Sequence, residues 1–140
     1  MEKAQLATLN QIPKEKAWKM INKFREHYKG KKFPGAEHLS HGIWFPFDKL
    51  NDWVEDAKKE GCTGVRIYFA TYLDDEKHPS RRLPNVVYNY RHRNTVVLVS
   101  TTTDANGVER DHYNLVSQDK FNDPFNKGEL CPEECGEADS

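Results

Sequence analysis

The sequence predicts an α+β fold: two helices packed on a small, mainly antiparallel β-sheet, with a long polar loop and an irregular acidic C-terminal tail. Three observations carry that expectation. Apolar residues recur every three or four positions near residues 14–28 and 49–60, the spacing of one helix face. Val65, Ile67, Phe69, Thr71 and Leu73 alternate with Arg66, Tyr68, Ala70 and Tyr72, the period of two that sends successive side chains to opposite faces of a strand. Asp104-Ala105-Asn106-Gly107 contains Asn-Gly, the strongest short hairpin signal, directly after a second strong strand.

Residues 1–12 form a flexible lead-in. Pro13 suits the first turn of a helix, and Trp18, Ile21, Phe24 and Tyr28 line one face of Lys14 to Tyr28. Gly30 ends it, and Pro34-Gly35 marks a turn in the loop that follows. Gly42-Ile43-Trp44-Phe45 is a short apolar run that Pro46 limits to an edge strand or an extended lead-in. Asp48 is a fair N-cap for a second helix, Lys49 to Glu60, with Leu50, Trp53, Val54 and Ala57 as its stripe and Gly61 as its close.

The alternating strand follows Gly64. Its apolar side, Val65, Ile67 and Phe69, is expected to share one core with Val97, Val99, Trp53, Leu50 and Ile21. Asp74 to Arg93 is polar and holds Pro79 and Pro84; loops of this length tend to be functional or disordered. Within it, Val86-Val87-Tyr88-Asn89-Tyr90 reads as a short strand docked on the sheet edge beside Thr95–Val99. Thr95 to Thr102 is apolar on both faces, as in a central strand covered from two sides. Val108 to Tyr113 returns from the hairpin, and the chain from Leu115 is irregular and acidic. The expected organisation is a lead-in over 1–12, a single α+β domain over 13–125, and a tail over 126–140 carrying Cys131 and Cys135.

A chain of 140 residues is one domain by size and buries roughly 68% of its unfolded surface without needing a disulfide or metal. Hydrophobic residues make up 36% and aromatic ones 11%, which implies a small core of bulky rings. A charged fraction of 31% with a net charge of -1 argues against a dedicated nucleic-acid binder. Residues 1–32 carry nine Lys/Arg against three Asp/Glu, and residues 104–140 carry three against ten. Such charge runs are usually solvated faces, and a basic end meeting an acidic partner is the sharper alternative. No apolar stretch reaches signal-peptide or membrane-span length. Three cysteines and no Asn-x-Ser/Thr acceptor make the cytoplasm the default location.

Catalytic motifs are missing: Ser100 sits on a strand with no Gly-x-Ser-x-Gly elbow, and no Gly-rich loop precedes a helix. Cys62 follows a helix C-terminus, where the dipole disfavours a thiolate. Cys131-x3-Cys135, with Cys62 or a histidine, has spacing compatible with zinc, but a second well-spaced pair is missing. A free dithiol or a disulfide pinning the tail is the preferred reading, and no cofactor is expected. Asp74-Asp75-Glu76 has the chemistry for a hard cation, although three adjacent acids are more often hydrated. Arg81-Arg82 and Arg91-His92-Arg93 flank the long loop, where pairing with Asp74 and Asp75 outweighs a weak nucleic-acid signature.

The block Gly42-Ile43-Trp44-Phe45, then Gly64-Val65-Arg66-Ile67-Tyr68-Phe69-Ala70, then Thr95-Val96-Val97-Leu98-Val99, then Cys131-Pro132-x-x-Cys135 resembles a group of small uncharacterised bacterial proteins. The resemblance covers residues 42–73, 94–107 and 128–135 and rests on the order of the pieces. The group often has a second proline after Cys-Pro, where this chain has Glu133. It implies a cytosolic bacterial protein and supplies no activity.

What remains is a surface. Arg66, Tyr68 and Tyr72 share a strand face, His112 or Arg110 can lie across from them, and Arg91 and Arg93 can make the face electropositive. Arg and Tyr are enriched at binding hot spots; the competing reading packs both tyrosines under a helix with Arg66 snorkelling. The expected function is a non-catalytic binding module for a protein or small anionic ligand, held by Arg66, Tyr68, Tyr72, Arg91, Arg93 and His112. The alternative is a metal-dependent hydrolase or nuclease using Asp74, Asp75, Glu76 and a histidine.

Overall fold

The structure is a computed structural model that describes residues 10–112, 124–126 and 128–131. The fold is α+β; among the described residues it has two helices and antiparallel sheets of three and two strands. The chain divides into two compact units, Met1–Lys32 with Ala138–Ser140, and Phe33–Glu137.

In the first unit, α1 spans Lys14–His27 with Pro13 at its N-cap. The amide of Tyr28 returns to the Phe24 carbonyl at 3.0 Å, and Gly30 has φ of +73°, a left-handed turn that glycine adopts without strain. Phe24 and Tyr28 pack one helical turn apart with tilted rings, centroids 4.9 Å, as the apolar spacing requires. No residue of α1 is buried. Ile21, expected in a core shared with the strands, is exposed.

The second unit holds β1 (Gly42–Trp44), α2 (Phe47–Lys59), β2 (Gly64–Thr71), β3 (Lys77–Pro79), β4 (Val87–Asn89), β5 (Asn94–Thr103), β6 (Glu109–Asp111) and β7 (Glu129–Cys131). Helix α2 starts two residues before the expected position. Pro46 takes the N-cap, its carbonyl closing the first turn with the Leu50 amide at 3.0 Å, while Asp48 accepts from the Lys49 amide. Gly61, φ +87°, closes it as expected.

The main sheet has the order β2-β5-β6, all antiparallel, so β5 is the central strand. Val65 opposes Ser100, Ile67 opposes Leu98 and Phe69 opposes Val96. The hairpin into β6 forms where Asn-Gly stands. Asp104 accepts from the amides of Asn106 and Val108, both at 2.9 Å, and Gly107 takes φ of +78°. β3 pairs with β4 as a separate hairpin, so Val87–Asn89 does not dock beside Thr95–Val99. β7 pairs with β1 through Ile43 and Leu130. Leu130 falls in the stretch that the sequence marks as an irregular tail, yet it is wholly buried. It joins Tyr72 and Tyr90 in the core, with Ile43 and Tyr88 packed against them.

That core reverses the expected orientation of β2. Tyr72 is buried, whereas Val65, Ile67 and Phe69 are exposed, Phe69 by 94%. The reason lies in what covers each face. Phe125 bridges Leu98 on the outer side of β5 and meets Trp53 of α2 at 5.5 Å and Phe45 at 5.2 Å. This cover lies beside Leu98, and it leaves its β2 partner Ile67 open.

Candidate functional site

β2 is the edge strand of its sheet among the described residues. Leu98 exchanges both backbone groups with Phe125, 2.9 and 2.8 Å, on the side of β5 away from β2. Backbone groups alternate sides along a strand. Val97 and Val99 therefore bond β2 through Tyr68 and Arg66, and Val65, Ile67, Phe69 and Thr71 turn their N–H and C=O groups to the open edge. The same four residues carry the exposed side of the strand. One side of β2 thus offers both a hydrogen-bonding edge and an apolar stripe.

The opposite face holds the Arg/Tyr pair, half exposed and engaged by an acid of β6. Asp111 lies across from Thr101, which lies across from Gly64. The Arg66 guanidinium spans two strands, about 10 Å, and donates through Nη1 to Asp111 Oδ1. The Tyr68 hydroxyl donates to Asp111 Oδ2, and Arg66 Nη2 donates to the Glu109 carbonyl at 3.2 Å. Hydrogen bonding with Tyr68 and the charge of Asp111 hold the guanidinium above its already high ordinary pKa. The hydrogen bond to Asp111 likewise raises the Tyr68 hydroxyl above the usual phenol range. One end of this region opens into a depression of about 470 Å³ walled by Thr63, Gly64, Arg66, Thr101, Thr103 and Glu109. The hydroxyls of Thr63 and Thr103 are 2.8 Å apart, and Thr103 donates to Glu109 Oε2 at 2.8 Å.

The remaining residues singled out from sequence lie elsewhere. Tyr72 donates its hydroxyl to Asn126 Oδ1 at 2.8 Å and packs edge-on to His78 and tilted against Tyr90, ring centroids 5.1 and 5.7 Å; burial raises its pKa. Arg93 is fully buried, its guanidinium 5.3 Å from the Tyr90 ring centroid. Arg91 is exposed, and its amide is held by Asn89 Oδ1 at 3.0 Å. His112 Nε2 faces Glu60 Oε1 of the α2 C-terminus at 3.0 Å rather than Arg66, and Arg110 donates to Asp104 at 2.9 Å. The six residues expected to share a site therefore divide: Arg66 and Tyr68 together, Tyr72 and Arg93 in the core, Arg91 and His112 each apart.

Asp74 and Glu76 also diverge. Asp74 meets His92 Nε2, while Glu76 lies 3.6 Å from His78. The other nitrogen of His92 faces the Pro34 carbonyl at 3.1 Å, so both ring nitrogens are engaged. Among the described residues no group of three or more His, Cys, Asp or Glu is placed to hold a metal. Cys62 is buried, and the Cys131 and Cys135 side chains lie outside the described residues. No helix among the described residues is long and apolar enough to cross a membrane.

Sequence reasoning missed Asp111 and Glu109. The signal was present: Glu109-Arg110-Asp111 follows an Asn-Gly turn, and a period of two puts both acids on one face of the return strand. No protein-family model, no curated protein and no solved structure matches the chain.

Proposed function

We propose that the chain is a non-catalytic binding module that takes a protein partner along the open edge and apolar side of β2. One observation carries the reading: Val65, Ile67 and Phe69 stand exposed beside an edge whose backbone groups point outward. An extended segment added there gains main-chain hydrogen bonds and covers alternate apolar side chains. A small anion is a poorer fit, because the Arg66 guanidinium already serves Asp111, with Glu109 beside it.

The depression next to Val65 gives the edge a polar end, where Thr63, Thr103 and Glu109 select the partner residue that reaches them. The test is a displayed library of random peptides about twelve residues long, selected on the native chain and on Ile67→Lys. Enrichment of alternating apolar sequences on the native chain, lost on Ile67→Lys, is the expected result. A native chain that enriches no such sequences, or equal enrichment on both proteins, refutes the reading.

A further inference from the structure

We propose that the partner of this edge is a second copy of the chain, joined by antiparallel pairing of β2 with β2 across a two-fold axis. This inference rests on the reading of β2 as a docking edge. Three features favour a copy of the same strand. The first is register. Since Val65, Ile67, Phe69 and Thr71 all point backbone groups outward, odd residues must pair with odd residues. A two-fold axis at Tyr68 satisfies this, setting Ile67 against Phe69 of the second copy and Val65 against Thr71 of the second copy. The stripe is then self-complementary: each copy covers the other's most exposed ring with a β-branched side chain.

The second feature is area. Val65 is 48% exposed, Ile67 54%, Phe69 94% and Leu73 73%. Those fractions amount to about 450 Å² of exposed apolar side chain per copy. Edge pairing leaves the sheet face itself in water and covers the flanks of these side chains together with the strand backbones, so the contact belongs to the small, weak class below ~1,200 Å². Leu73 of the second copy reaches the level of Thr63, beside the depression.

The third is the lack of an edge guard. Natural edge strands are blunted by proline, lysine, bulges or inward charges. Gly64–Thr71 contains no proline or lysine, and its pairing with β5 runs without a bulge. Its single charge, Arg66, is turned to the other face and neutralised by Asp111. In the paired register Arg66 opposes Ala70 of the second copy. The two arginines then stand about 13 Å apart along the strand, beyond the ~8 Å screening length at physiological salt.

The experiment is sedimentation velocity on the full chain from about 1 to about 200 µM, combined with amide hydrogen exchange at both ends of that range. A mass rising to twice that of the chain is expected, with the amides of Val65, Ile67, Phe69 and Thr71 protected only in the concentrated sample. Phe69→Lys, at a position nearly all in water, should hold the mass at that of the monomer with an unchanged circular dichroism spectrum. Thr71→Pro, which deletes one outward N–H, should weaken association at least tenfold. A monomer at every concentration overturns the proposal, as does a dimer in which Phe69→Lys changes nothing and the four amides stay unprotected. A monomer whose edge still binds selected peptides sinks the self-pairing alone and leaves the binding-module reading standing.

Discussion

Phe69→Ala and Leu130→Ala make a paired test of which side of β2 faces the core. If the apolar side were inward, truncating Phe69 would cost about 3–5 kcal/mol, as for other buried aromatics. In the structure Phe69 is 94% exposed. Full burial of such a side chain is worth about 1.5–3 kcal/mol, so the covered twentieth contributes only ~0.1–0.2 kcal/mol. Losing an aromatic from a strand adds at most ~1 kcal/mol. Leu130 is 0% exposed in the Tyr72–Tyr90 cluster, and its truncation should cost about 2–5 kcal/mol. The assay is urea unfolding at about 1 µM, below the range where association complicates the baseline, followed by far-UV dichroism and tryptophan fluorescence. A loss above about 2 kcal/mol for Phe69→Ala, or below about 1 kcal/mol for Leu130→Ala, would refute this packing of β2.

Gly128→Ala drives a methyl into Ile43 and to within 2.7 Å of the Phe45 ring; overpacking of this kind costs about 1–3 kcal/mol and should lower the melting temperature. In a spectrophotometric titration, Tyr68 ionises above the ordinary phenol range because its proton is held by Asp111. Its contribution is therefore complete below about pH 10 and disappears as pH rises through the folded value; Tyr68→Phe should remove one late-titrating phenol. Asp74 is held below the usual carboxylate range by its hydrogen bond to His92. Its contribution is present above about pH 4 and lost as pH falls through the lowered value, a step that carbon-13 carboxyl titration should show in the native chain and not in Asp74→Asn.

Much of the local structure was legible because it depends on neighbours in sequence. The α2 stripe and its Gly61 close, the alternation of β2, the two-sided apolar run of β5 and the Asn-Gly hairpin all follow from periods and turn chemistry. Three decisions belong to the tertiary structure. Alternation separates the two faces of β2 but does not say which is inward; that fell to Phe125 and Trp53 over Leu98 on one side and to Leu130 and Tyr90 around Tyr72 on the other. Leu130 stands among charged and polar residues without a periodic neighbour, so only its pairing with Ile43 reveals it as core. The partner of Arg66 lies 45 residues away, on a strand whose register is set by a turn. Local pattern determines what each segment can become, and long-range register, which no short window contains, decides that Arg66 is satisfied and Phe69 stands exposed.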